Sequence, residues 1–223
     1  MDTKLLLSAL SKYVLGLLLV GLLLFVPAGT LRYGNAWLFI ALLFAPMLLV
    51  GVLLCLKAPT LLQKRLNSKE REPAQRRVVA LSALLFIAGF VLAALDFRFG
   101  YSHVPRWLVV AASVFTLCAY GLYAEVMREN AYLSRTVEVQ KNQRVVDTGL
   151  YGIVRHPMYA ATVLLYLAIP LVLGSFVSFI VFLSYPALIV RRIRNEEAVL
   201  EKGLAGYLEY EKKVKYRLIP FIW

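Results

Sequence analysis

Residues Met158–Val190 read MYAATVLLYLAIPLVLGSFVSFIVFLSYPALIV, thirty-three positions without one charged side chain. A transmembrane helix needs roughly 20 mainly apolar residues to cross roughly 30 Å of hydrocarbon, so this run is too long for one crossing. Pro170 and Gly174 break it. It reads as two short helices joined by a tight turn, a hairpin whose tip either completes a crossing or re-enters. Working outward, four more stretches have spanning length: Leu5 to Val26, Ala36 to Leu56, Val78 to Leu95 and Trp107 to Val126. The fold class expected is therefore all-α, a polytopic membrane helix bundle of about six segments, the last two being the hairpin. The chain divides at residue 126. Residues 1–126 hold the N-terminal helices; residues 127–223 hold the hairpin and the long polar stretches on either side of it.

Composition agrees. Of 223 residues 61% are hydrophobic, well above a soluble domain, and the mean hydropathy is +0.71. The net charge of +12 raises nucleic acid as a partner, but the charge is unevenly placed. With the N-terminus inside, 22 of 25 Lys and Arg fall in inner segments, against Arg32, Arg98 and Arg106 outside. That is the positive-inside bias, so the basic charge orients the protein and faces anionic lipid, and no nucleic acid is needed to explain it. Both termini are expected on the cytoplasmic side, in a prokaryotic inner membrane or the endoplasmic reticulum. Cys55 and Cys118 fall inside expected spans, and His103 and His156 lie on opposite sides, which leaves neither a disulfide framework nor a metal site. The first span exceeds a signal-peptide core in length and lacks a small-x-small cleavage pattern, so it is expected to stay.

The linker from Lys57 to Arg77 reads either as a solvated turn that sets topology or as a surface meeting lipid headgroups. Chemistry concentrates after Glu125, in two polar stretches of about thirty residues flanking the hairpin. The first ends in Gly149-Leu150-Tyr151-Gly152-Ile153-Val154-Arg155-His156-Pro157-Met158-Tyr159. Pro157 suits the first turn of a helix and places His156 at its N-cap, where free N–H groups favour an anion. A cap with interfacial tyrosines is the simpler alternative. The second begins Arg191-Arg192-Ile193-Arg194-Asn195-Glu196-Glu197, with Arg192 and Glu196 on one helix face; snorkelling arginines would also account for it. The tail from Tyr207 to Phe221 reads as an interfacial amphipathic segment.

In their order and spacing, Val146-Asp147-Thr148-Gly149-Leu150-Tyr151, Arg155-His156-Pro157-Met158-Tyr159, Arg192 with Glu196-Glu197, Tyr207-Leu208-Glu209-Tyr210 and Leu218-Ile219-Pro220 together resemble the isoprenylcysteine carboxyl methyltransferase family. The resemblance covers about residues 125–223. It implies a membrane methyltransferase using S-adenosylmethionine, with a cytoplasmic cofactor-binding loop and a C-terminal helical tail. It also implies cofactor contacts at Gln143, Arg144, Val145, Val146, Tyr151, His156, Pro157, Met158, Tyr159 and Glu196, and a substrate-carboxylate contact at Arg192. A further cofactor position, often glutamine in the family, is Thr136 here. No Gly-rich loop after a strand is present for a Rossmann-type site. The acceptor expected is a lipophilic or lipidated acid. Alternatives are an amine headgroup or small thiol, with Glu197 or Tyr159 as proton acceptor, and a transporter or scaffold. The oligomeric state is not legible in the sequence.

Overall fold

A computed structural model describes residues 3–67, 70 and 72–223, so Ser68, Lys69 and Arg71 of the charged linker lie outside the described residues. Within those residues the chain is helical and forms no strand. The four expected N-terminal spans appear as α1 (Thr3–Ala28), α2 (Gly34–Lys57), α4 (Pro73–Phe99) and α5 (Arg106–Glu129), each a few residues longer than its apolar core. Leucines such as Leu7, Leu15, Leu49 and Leu84 stay exposed on the bundle, the face a helix presents to lipid.

The hairpin forms, with a difference in its second arm. The first arm, α6 (Pro157–Leu173), ends at Gly174, whose φ of +81° is the left-handed turn that only glycine takes without strain. A side chain there would also collide with Asn35. The second arm was expected to stop near Val190. It begins as α7 (Phe176–Phe182), is interrupted at Leu183 and Ser184, and resumes as α8 (Tyr185–Gly203). Pro186 explains the interruption, since its ring cannot accommodate the carbonyl four residues earlier. Among the described residues, five helical segments, with Phe176–Gly203 as the fifth, are long and apolar enough to cross a membrane. The first arm, at 17 residues, is shorter.

The core lies where α4 meets α6, α7 and α8. Phe86, Phe90 and Phe182 cluster there, and Gly89 lets Phe182 approach the α4 backbone. At the hairpin tip, the buried carboxylate of Asp96 accepts hydrogen bonds from the Ser102 amide (2.6 Å), the Ser102 hydroxyl and the Ser175 hydroxyl. Tyr33 donates to the Leu173 carbonyl at 2.6 Å, and Ser178 donates to the Gly89 carbonyl at 2.8 Å. Buried donors and acceptors cost free energy unless they are paired, and here they are paired inside the bundle.

The linker is neither a solvated turn nor only a headgroup surface. It contains α3 (Pro59–Leu66), which buries Leu61 and Leu62. The fully buried Gln75 donates to the Arg192 carbonyl at 3.0 Å. The N-terminal half thus packs directly against the hairpin's second arm at the end opposite Gly174.

Candidate functional site

At that end, the loop after α5 and the start of α6 face α8 and α9 (Tyr207–Lys213) across a cleft. The cleft encloses about 840 Å³ of empty space, part of it open to solvent. Each wall has a local cause. Gly149, at φ +52°, turns the chain into a short 3-10 helix, Gly149–Gly152. Its lack of a side chain lets the Glu129 carboxylate accept the Leu150 amide at 3.0 Å. Pro157 then starts α6 with His156 as N-cap, as the sequence predicts. Gln143, Arg144, Val145, Val146, Tyr151, His156, Met158, Tyr159, Arg192 and Glu196 all line the cleft; Pro157 is buried behind it. Thr136 lines it as well, 3.1 Å from the Ser134 hydroxyl.

Arg192 and Glu196 share one face of α8, and Tyr159 stands between them. Arg192 Nε donates to the Tyr159 hydroxyl at 2.8 Å, and that hydroxyl donates to Glu196 Oε2. Arg192 Nη2 donates to the Arg135 carbonyl at 2.8 Å, and the carboxylate of Glu70 lies 3.8 Å away. The arginine is therefore fixed by neighbours on three segments. Such fixing is unlike a side chain that snorkels to lipid.

Glu197, one position on, has a different environment. It continues the buried stripe of Ile189 and Ile193, four residues apart, and is 2% exposed. Arg155 reaches Oε1 with Nε at 2.9 Å and Nη2 at 2.8 Å; His156 Nε2 lies 3.2 Å from the same oxygen. Arg217 Nε donates to Oε2 at 2.6 Å. With both oxygens taken, Glu197 is unsuited to accept a proton from a substrate, one of the alternatives raised by the sequence. Its work is to tie α6, α8 and the tail together. Arg155 also donates to the Val214 carbonyl at 3.1 Å and pairs with Glu211 at 3.0 Å. The Arg155 and His156 amides donate to the Tyr216 and Arg217 carbonyls, each at 2.9 Å.

Three tyrosines complete the cleft. Tyr151 receives the Asn130 amide at 2.9 Å, and burial, partly opposed by that hydrogen bond, raises its phenol to about 12. Tyr210 donates to the Tyr151 carbonyl at 2.7 Å. Tyr207 has a buried hydroxyl with no hydrogen-bond partner among the described residues, and burial first, then Glu197, raises its phenol. Sequence reasoning missed Arg155, Glu197's structural part and Tyr207 as members of the site. The four-residue spacing Ile189, Ile193, Glu197 was the available signal for a buried acid, and an arginine directly before His156 was the signal for its partner.

The comparisons with known proteins fall on this region. Residues 107–202 match the isoprenylcysteine carboxyl methyltransferase family. Two curated relatives are named as reductases. A mouse (Mus musculus) Delta(14)-sterol reductase is 32% identical over 91 residues, covering 40% of this chain and 22% of its own. A Delta(14)-sterol reductase of Methylotuvimicrobium alcaliphilum is 22% identical over 135 residues, covering 54% of this chain and 32% of its own. The chain thus spans no more than a third of the length of either relative. The family match takes in most of α5, the loop after it, the hairpin and nearly all of α8.

Proposed function

We propose that the protein is an integral membrane methyltransferase that uses S-adenosylmethionine to methylate the carboxylate of a lipophilic acid. The observation that carries this reading is Arg192, held by Tyr159 and the Arg135 carbonyl at the head of a cleft lined by the family's cofactor positions. The donor set fits such a cofactor. Glu196 offers a carboxylate for its ammonium, and the apolar Val145, Leu200 and Leu204 await a less polar part. When bound, the cofactor supplies an electrophilic methyl group on a sulfonium.

The chain's own residues then have defined work. A carboxylic acid is ionised at neutral pH, so no general base is required. What it needs is a cationic partner of planar fork geometry, which Arg192 provides once Nε and Nη2 are anchored. Tyr159 holds that fork and the Glu196 carboxylate at fixed separation. The glutamates fit an acid better than an amine or thiol: Glu197 already has both oxygens engaged, by Arg155, Arg217 and His156, and Glu196 already accepts from Tyr159. Tail residues behind Arg155 close the far side against water, so positioning dominates the catalysis. In this reading the lipophilic acceptor comes sideways from the bilayer, membrane lipid is its surrounding partner, and nucleic acid plays no part. The loop and both termini face the cytoplasm.

Calorimetric binding of S-adenosylhomocysteine to the purified protein is the first test. Transfer of labelled methyl from S-adenosylmethionine to a farnesylated cysteine derivative, recovered as alkali-released methanol, is the second. Absence of binding would sink the proposal; labelled amine or thioether products would redirect it to another acceptor. The names of the two relatives favour one other reading, sterol reduction. It predicts binding of a reduced nicotinamide dinucleotide and none of S-adenosylhomocysteine.

A further inference from the structure

The tail departs from its expected amphipathic form. Helix α9 buries Tyr207 and Tyr210, and the apolar exposure moves to the turn beyond it. There Ile219 is 48%, Phe221 87% and Ile222 76% exposed. The turn is closed on itself. The Ile222 and Trp223 amides donate to the Ile219 carbonyl at 3.2 and 3.1 Å, and the Arg217, Leu218 and Ile219 amides converge on the Trp223 carbonyl at 2.9, 2.9 and 3.1 Å. Phe221 stands at the tip with φ +65°, a left-handed conformation that a side chain makes costly. Neither Phe221 nor Ile222 lines the cleft. A closed turn that accepts strain to hold its two most exposed apolar side chains in the open implies an apolar surface that receives them.

The height of the turn on the bundle says which surface. Just before it, the Tyr216 and Arg217 carbonyls accept the Arg155 and His156 amides, and α6 starts at the next residue, Pro157. Leu218 and Trp223, on either side of the tip, belong to the core that α4 forms with the hairpin. The turn is thus level with the point where the hairpin leaves water for hydrocarbon. Lys212 and Lys215, on the approach to it, are exposed and form no ion pair among the described residues. An apolar tip with unpaired cations at its base has the composition of a segment seated in a bilayer surface. A protein partner would account for the tip, but not for its level or its lysines.

We propose that residues 219–222 form a membrane-docking tip. Phe221 and Ile222 insert at the boundary of headgroups and acyl chains, and Lys212 and Lys215 meet anionic headgroups of the same leaflet. Arg217, two residues before the turn, is bound to Glu197, so the bilayer becomes an outer anchor for the tail that walls the cleft. Docking adds to the ionic ties from outside the protein, and release of the tip loosens the tail.

The test uses the full chain with Cys55→Ala and Cys118→Ala, in nanodiscs of mixed phosphatidylcholine and phosphatidylglycerol, with a nitroxide on Ile222→Cys and, as a second position, on Ile219→Cys. Collisions with oxygen, which concentrates among acyl chains, are expected to exceed those with an aqueous nickel chelate at both positions. A label on Glu209→Cys, on the exposed face of α9, should show the reverse. In unlabelled protein, Phe221→Asn with Ile222→Ser keeps a residue that tolerates the left-handed turn and removes the apolar tip. Trypsin cleavage at Lys212 and Lys215 in nanodiscs is expected to rise about tenfold, with the melting temperature unchanged. Labels reached chiefly by the nickel chelate would overturn the proposal. So would spectra broadened by a second label, which would show the tip covered by another copy of the chain. Wild-type cleavage rates in the double variant, or a lowered melting temperature that assigns the tip to internal packing, would equally overturn it.

Discussion

Replacing Glu197 with glutamine should disconnect the tail from the rest of the site. The substitution keeps the shape and removes the negative charge from a position 2% exposed. The amide oxygen could still accept one hydrogen bond, but the one carboxylate left to Arg155 would be Glu211 at 3.0 Å, and Arg217 and His156 would lose their shared carboxylate. Removing one partner from a buried ionic cluster typically costs about 3–5 kcal/mol, because cations are left uncompensated in a poorly solvating environment. For a chain of this size each kcal/mol shifts a melting temperature by roughly 2–4 °C, so the expected fall is on the order of 10 °C. The local effect should be larger than the global one. Trypsin should reach Lys212, Lys213, Lys215 and Arg217 at temperatures where the wild-type tail resists, and S-adenosylhomocysteine affinity should fall with the tail's release. Arg194→Gln, at an exposed position of the same helix, is the control and should change little. A Glu197→Gln protein melting within 2 °C or so of wild type, with its tail protected, would refute the reasoning.

Three further outcomes follow from the geometry. Arg192→Lys keeps the charge but loses the fork that engages Tyr159 and the Arg135 carbonyl. Turnover of an acid substrate should fall roughly a hundredfold while S-adenosylhomocysteine affinity stays within a few fold, and full activity in steady-state kinetics would exclude the clamp. Gly149→Ala demands a left-handed backbone and drives a methyl group into the Glu129 carboxylate; thermal melts should show a loss of about 1–3 kcal/mol. The Lys213 ammonium holds the Asp147 carboxyl below its ordinary value, so this surface tie is complete above the unfolded value of about 4 and is lost as pH falls through the lower folded one. Tail proteolysis should therefore be flat from pH 8 to pH 5 and rise only in stronger acid, and Lys213→Met should remove that acid-dependent step.

Much of the architecture was legible because lipid imposes length and apolarity on each span. The four N-terminal helices, the helix start at Pro157 and the turn at Gly174 each have a local cause. The continuation of the second arm to Gly203 was not legible, since Arg191 to Gly203 is too polar to register as membrane helix. It persists because Ile193 and Glu197 bury their face against the core and the tail. Adjacent glutamates posed a related difficulty. Arg192 fixed the phase that turns Glu196 into the cleft, but what neutralises Glu197 comes from Arg155 and Arg217, far off in sequence. Gln75 and Glu70 were read as part of a linker because nothing near them in sequence hints at Arg192. Tyr207 looked like one aromatic among several in an interfacial segment; only its missing partner sets it apart.

The Asp96 knot at the hairpin tip has a mechanical consequence. The hydroxyls of Ser102, in the loop after α4, and of Ser175, just past the turn, bind one buried carboxylate, and Tyr33, just before α2, grips the Leu173 carbonyl, so α2, α4, α6 and α7 are pegged together at that end. A bundle pegged at one end can splay only at the other, as tongs open opposite their pivot. The other end, where Arg192 and Tyr159 sit, is held instead by side-chain ties, Gln75 to the Arg192 carbonyl and Arg155 and Arg217 to Glu197. A bulky apolar molecule arriving from the bilayer would thus find its widest opening beside the chemistry, and a substitution that loosens the pivot, such as Asp96→Ala, would blunt the opening without touching the site.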